Sequence, residues 1–186
     1  MGNKYKAIIL EGVDCCGKST LAKNMKNILG DVDIVHCTGS DPKDFDFYHQ
    51  TMRKLNVIYD RHLVGEMIYP EIFNREPNLT EEEFEELLNI ADKLGVYIFI
   101  IIPDNDVIKA RLDAERPNEE DEIKQRYAYI NRRFEEIALK YNNKHRSINI
   151  VYSPKGMTDA DSLLKFTCNI FKDIPEDVTD ADLRLI

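Results

Sequence analysis

The stretch Tyr5-Lys-Ala-Ile-Ile-Leu10-Glu-Gly-Val-Asp-Cys15-Cys-Gly-Lys-Ser-Thr20 decides the fold. Its first half, Tyr5 to Leu10, is a short apolar run suited to a buried strand and ends at Glu11-Gly12. Beyond it, Leu21 to Leu29 carries apolar residues at helical spacing. Between the two, Gly12-Val13-Asp14-Cys15-Cys16-Gly17-Lys18-Ser19 fits G-x-x-x-x-G-K-[ST] at every fixed position, in the strand-to-helix context the motif requires. The glycines let the backbone curl so that successive N–H groups face inward, and the helix that follows adds its positive end. The pattern predicts a cradle for the phosphates of ATP running from Gly12 to Thr20, with Lys18 bridging the β and γ phosphates and the Ser19 hydroxyl on Mg²⁺. Lys18 is expected to lie exposed in the empty loop. Cys15 and Cys16 sit where a helix terminus favours thiolate.

Outward from the loop, Asp33 to Cys37, Asn56 to Tyr59 and Ser147 to Tyr152 are further strand candidates. The strongest is Val96 to Ile102, whose unbroken VYIFIII before Pro103 reads as a strand buried on both faces, as central parallel strands are. Phe45, Tyr48, Met52 and Leu55 suit a helix between the second and third strands. Thr80-Glu-Glu-Glu83 forms a capping box, after which Phe84, Leu87, Leu88, Ala91 and Leu94 make one apolar stripe that Gly95 stops. Ile123 to Tyr141 and Thr158 to Phe171 are two more helices. Strands alternating with helices predict an α/β fold, a three-layer α/β/α sandwich around a five-stranded parallel sheet. One domain is expected over residues 1–172, followed by an acidic, weakly periodic tail over 173–186.

Composition narrows the partners. With 186 residues, 43% hydrophobic and 32% charged, the chain is sized for one core and has no apolar run near the ~20 residues of a membrane span. No membrane partner is expected, and since the N-terminal residues carry no signal-peptide pattern a cytoplasmic location is expected. A net charge of −9 argues against a nucleic-acid polymer as partner. Small nucleotides remain suitable ligands, since local dipoles and a few arginines bind phosphate against an acidic background. The four cysteines and four histidines lack zinc-ligand spacing.

The string Glu11-Gly-Val-Asp14-Cys-Cys-Gly-Lys-Ser-Thr20 resembles the thymidylate kinase form of this loop, which carries an acid at the position of Asp14. Val57-Ile-Tyr-Asp60-Arg61-His62 resembles the D-R-[YFH] element of the same family, itself related to the E-R-S element of deoxynucleoside kinases. The resemblance implies a P-loop kinase of the deoxynucleoside monophosphate type, using ATP and Mg²⁺. In this reading Asp14 contacts the acceptor's 3′-hydroxyl, Arg61 holds its phosphate, Asp60 organises the metal with Ser19, and Tyr69 lies near the nucleoside. Arg111-Leu-Asp-Ala-Glu-Arg116 resembles the lid of these kinases, near residues 111–122, with Arg111 and Arg116 supplying positive charge on closure. Ser153-Pro-Lys155-Gly156 falls where the family cradles adenine, while Arg126, Arg132 and Arg133 on the next helix read first as solvated charge, with one of them facing the acceptor phosphate as the alternative.

The chain also departs from the family. His36-Cys-Thr-Gly-Ser-Asp-Pro42 replaces an Arg-Glu-Pro element, and Gly65, Glu66 and Pro70 stand where thymine-reading residues are usual. Glu66 thus signals a different base or a nucleoside acceptor. The alternatives are a deoxynucleoside kinase acting on a 5′-hydroxyl, and a nucleotide-binding regulatory protein. A homodimer is compatible with the resemblance.

Overall fold

The computed structural model describes residues 6–115, 117 and 122–153. The predicted helix from Thr158 to Phe171, the loop residues Pro154 to Gly156, the tail and Arg116 lie outside the described residues. Five strands form one parallel sheet: β1 (Ile8–Glu11), β2 (Asp33–His36), β3 (Val57–Asp60), β4 (Tyr97–Pro103) and β5 (Ile148–Ser153), in the order β2-β3-β1-β4-β5. The helices are α1 (Lys18–Leu29), α2 (Phe45–Met52), the one-turn α3 (Tyr69–Ile72), α4 (Glu81–Leu94), α5 (Asn105–Glu115) and α6 (Glu122–Tyr141), with a 3₁₀ turn at Val64–Met67. This is the three-layer α/β/α architecture that the alternation predicts. Travel along the sheet reverses after β2, so right-handed crossovers put α1 on one face and α2, α4 and α6 on the other. The contact between α2 and α4 agrees with that placement.

Burial follows the sequence pattern. Central β1 and β3 are buried at every position and β4 at all but Tyr97, while edge strand β2 is exposed throughout. The α4 capping box closes with Glu83 N–H donating to Thr80 Oγ1 and Thr80 N–H to Glu83, and Gly95 ends the helix at a φ of 70°. Several ends differ from the sequence expectation. Helix α1 starts at Lys18 rather than Leu21, because Gly17, at a φ of 105°, is its N-terminal boundary and the phosphate loop runs straight into the first turn. Strand β1 runs on through Glu11 and β3 through Asp60, since each still pairs in the sheet. Two acids therefore stand on strand termini that composition alone assigns to loops. Among the described residues no helix is long and apolar enough to cross a membrane.

The sheet order fixes where chemistry can occur. The connection leaving β1 runs toward β2, whereas the one leaving β3 runs toward β4, so the loops after these adjacent strands diverge and open a crevice at their carboxyl ends.

Candidate functional site

The loop after β1 wraps tightly. Gly12 sits at a φ of 142°, and a Cβ there would fall 2.7 Å from the Ile101 carbonyl oxygen and 2.8 Å from Cys16 Sγ, so no side chain fits. Cys15 takes a left-handed φ of 62°, and Cys16 N–H closes the turn on the Val13 carbonyl at 3.3 Å. Val13 and Cys16 are fully buried, and Thr20 faces outward from the first turn of α1. Lys18 departs from the exposed position expected of it: its Nζ donates to the Gly12 and Val13 carbonyls at 2.8 Å each, and only 5% of the residue is exposed. The ammonium satisfies itself on the loop's own carbonyls, which draws it out of solvent.

Across the crevice, β3 delivers Asp60 and Arg61. Ser19 Oγ donates to Asp60 Oδ2 at 2.5 Å, and the His36 imidazole stands 3.5 Å from the same oxygen. Asp60 Oδ1 is buried without a hydrogen-bond partner. A hydroxyl and a carboxylate with a spare oxygen are hard ligands of the kind Mg²⁺ takes together with phosphate oxygens. Among the described residues no cluster of three His, Cys, Asp or Glu forms an all-protein cage. Arg61 leaves the strand in the left-handed region, at a φ of 74°, with its N–H bonded to the Leu10 carbonyl at 3.0 Å. That turn sends its guanidinium onto the buried Asp14 carboxylate. Burial works against charge on Arg61 and is the largest single influence, but Asp14, Tyr69, Asp60 and Glu11 together outweigh it and the arginine is held more firmly protonated than usual.

Beneath this pair lies Glu11, a residue that sequence reading passes over. Its Oε1 accepts the His62 and Val64 N–H groups at 3.0 and 2.8 Å, pinning the loop after β3 to the end of β1. Burial pushes its carboxyl up to about 7, against the lowering effect of the Val64 amide, Lys18, the His62 amide and Arg61. His62 is buried too, bonded through Nε2 to Thr51 Oγ1 at 2.8 Å, and burial lowers its pKa to about 3. An acid ending an otherwise apolar IILE run was the available signal for Glu11.

Arg61 borders a cavity of about 360 Å³ also lined by Thr38, Tyr48, His62, Gly65, Glu66, Tyr69, Phe73 and Arg75. Tyr69 OH is buried with no hydrogen-bond partner, and its ring lies 3.1 Å from where a Gly65 Cβ would stand, so the glycine makes room for it. Glu66 lines the same cavity, but its carboxylate is spent on Arg75 and on the Asn78 N–H. Tyr48, Phe73 and Arg75 join the site without any motif to announce them. The predicted Arg61, Tyr69 and Glu66 thus line one cavity beside the loop, and Asp14 adjoins it through its bond to Arg61.

On the lid side, Arg111 Nη1 donates to the Cys15 carbonyl at 2.8 Å, reaching the phosphate loop from α5. Glu115 accepts from Cys15 Sγ at 3.2 Å. On α6, Arg132 and Arg133 are engaged with Glu136, and Arg133 also approaches Glu71. These two are therefore spent on surface carboxylates.

No family model matches the chain. An SPbeta prophage-derived protein of Bacillus subtilis (strain 168), YorR, is 31% identical over 112 residues, covering 56% of this chain and 66% of the relative's own length. The crystal structure of YorR in complex with phosphorylated GDP superposes with a TM-score of 0.72 at 22% identity, over 89% of this chain and 95% of that one. Deoxyadenosine kinase from M. mycoides with bound dCTP gives 0.55 at 15% identity, over 90% of this chain and all (100%) of that one. Thymidylate kinase from Candida albicans gives 0.55 at 18%, over 92% of each chain. Shikimate kinase from Bacteroides thetaiotaomicron shares the architecture at 0.52 and 14%, over 91% of this chain and 97% of that one. The chain has the fold of the P-loop nucleotide and nucleoside kinases.

Proposed function

We propose that the protein transfers the γ-phosphoryl group of ATP to a deoxynucleoside 5′-monophosphate, giving the diphosphate. The observation that carries this reading is the meeting of Asp14 and Ser19, on the phosphate loop, with Arg61 and Asp60, at the end of β3, across the switch point of the sheet. Phosphoryl transfer asks a protein chiefly to position two phosphates and to supply positive charge between them. The loop amides from Gly12 to Thr20 and Lys18 would hold the donor's phosphates. Arg61 would take the acceptor's phosphate with its planar fork, and Asp14, released from that arginine, would accept from the sugar hydroxyl. Tyr69 OH, the buried phenol without a partner, is a ready donor to the acceptor.

Ser19 and Asp60 would hold Mg²⁺, which when bound supplies charge neutralisation on the β and γ phosphate oxygens. Arg111, already bonded to the loop at Cys15, would add charge to the transferring group, and Arg116 is proposed to join it from the lid. The relative solved with phosphorylated GDP and the neighbours that are nucleotide and nucleoside kinases support phosphoryl transfer to a nucleotide or nucleoside, and the pairing of Asp14 with Arg61 favours the monophosphate. A kinase acting on a nucleoside 5′-hydroxyl would leave Arg61 no acceptor phosphate to bind. Coupled ADP release tests the reading: with MgATP, turnover is expected with deoxynucleoside monophosphates and not with the matching nucleosides. Efficient turnover of nucleosides alone would overturn the acceptor assignment.

A further inference from the structure

The cavity beside Arg61 holds a second arginine whose donors are only partly used. Arg75 Nη1 donates to Glu66 Oε1 at 2.7 Å and to the Glu76 carbonyl at 3.1 Å, while Nη2 donates to Glu66 Oε2 at 2.7 Å. A guanidinium carries five N–H groups in one plane, so these bonds spend three. The remaining two, on Nε and Nη2, lie side by side along one edge as a parallel fork. Neither has a protein partner among the described residues. Arg75 lines the cavity with a third (33%) of its side chain exposed, whereas the Glu66 side chain is 1% exposed. Glu66 cannot itself reach a ligand; it also accepts the Asn78 N–H at 2.9 Å and fixes how Arg75 is turned. Phe73, 48% exposed, gives the same cavity an aromatic wall on which a planar ring can stack.

We propose that Arg75 reads the base of the acceptor with this fork, and that the base is a 6-oxopurine, guanine or its 2-deamino form, bound on O6 and N7. The inference rests on the kinase reading above and adds the base to it. Two parallel donors need two adjacent acceptors, which the O6/N7 edge provides. Adenine sets its amino group beside N7, so one donor would face another. Thymine offers O4 beside a methyl group and satisfies one donor of the two. Cytosine presents an amino group in the place of a carbonyl, although its N3 and O2 are also adjacent, and dCMP is therefore a necessary control. Glu66 is a positioning residue that acts through Arg75.

Calorimetric titration of the wild-type chain with dGMP, dIMP, 7-deaza-dGMP, dAMP, dTMP and dCMP tests the proposal. The expected result is dGMP and dIMP binding alike, and each ~10-fold or more tighter than the other four, since 7-deaza-dGMP lacks the N7 acceptor. In Arg75→Ala and in Arg75→Lys, which keeps the charge but loses the fork, the six affinities should converge to within about threefold. The proposal is overturned if 7-deaza-dGMP binds as tightly as dGMP, if dAMP, dTMP or dCMP equals it, or if the preference survives both substitutions. The analogue comparison uses wild-type protein, so it decides the matter even where a variant fails to fold. Binding of no monophosphate at all would sink the kinase reading together with this one, whereas binding with the wrong base order sinks this one alone.

Discussion

The Arg61 guanidinium donates to the Asp14 carboxylate, joining the end of β3 to the phosphate loop across the crevice between β1 and β3. Each residue holds what the other would surrender to an acceptor, the arginine a phosphate and the acid a hydroxyl. Arg61→Ala should lower kcat/KM for the monophosphate by ~1.5–3 kcal/mol, the range of a charge-assisted bond, with the ATP KM much less affected. Asp14→Ala should weaken acceptors bearing a 3′-hydroxyl and leave 3′-deoxy analogues nearly unchanged. Steady-state kinetics with both acceptors measures the two effects, and equal losses on ATP and acceptor would contradict the assignment.

Lys18 is folded onto the carbonyls of Gly12 and Val13 rather than held out in solvent. Its truncation removes the two carbonyl hydrogen bonds and the contact to Cys16 Sγ but also a buried charge, so the effects on stability oppose each other. Lys18→Ala should lower turnover by ~100-fold or more while shifting the melting midpoint by only about 2–4 °C, equivalent to ~1 kcal/mol at this length. Calorimetry beside the kinetic assay checks both numbers. Wild-type turnover in a folded variant would remove the phosphate loop from the chemistry.

The fold was legible because its signals are local. The Gly12–Ser19 pattern, the apolar run from Val96 to Ile102 and the Thr80–Glu83 capping box each dictate a backbone shape without help from distant residues. The cavity was less so. Asp14, Arg61, Tyr69 and Glu66 could be named through resemblance, but the spending of Glu66 on Arg75 depends on a loop with no periodicity. Lys18 departs from its expected exposure for the same reason, since that exposure is set by where the loop carbonyls turn. Glu11 is not legible in this way because an acid next to a glycine loop reads as loop, whereas here it closes a buried strand.

The two thiols of the loop should differ in reactivity. Cys15 is partly exposed at the loop surface, and Cys16 is fully buried with its sulfur 3.5 Å from Lys18 Nζ. Iodoacetamide should modify Cys15 before Cys16, inactivate the protein, and be slowed by saturating MgATP. Fragment-ion mass spectrometry of the loop peptide assigns the site. Modification of Cys16 first, or no protection by MgATP, would contradict the loop geometry.

Glu11 and His62 should tilt stability in opposite directions with pH. Glu11 titrates near 7 when folded and near 4.5 when unfolded, so the native state binds more protons between those values and gains stability as pH falls. His62 titrates near 3 folded and 6.5 unfolded, so the native state binds fewer protons there and loses stability as pH falls. In the wild type the two oppose each other between pH 4.5 and 6.5. Relative to wild type, Glu11→Gln should lose stability on the order of 1–3 kcal/mol when the pH is lowered from 7 to 4.5, and His62→Phe should gain a similar amount. Urea unfolding at the two pH values measures the differences, and parallel curves for all three proteins would refute them.

The central claim is that the γ-phosphoryl group of ATP moves onto the phosphate of a nucleoside monophosphate held between Asp14 and Arg61. Incubation with Mg²⁺, [γ-³²P]ATP and either unlabelled deoxynucleoside monophosphates or, in parallel, the matching nucleosides, followed by separation of the products, traces that group directly. The account predicts label in the deoxynucleoside diphosphate, in amounts that fall sharply with Arg61→Ala. Label found only in inorganic phosphate, or in a monophosphate formed from added nucleoside, would contradict it.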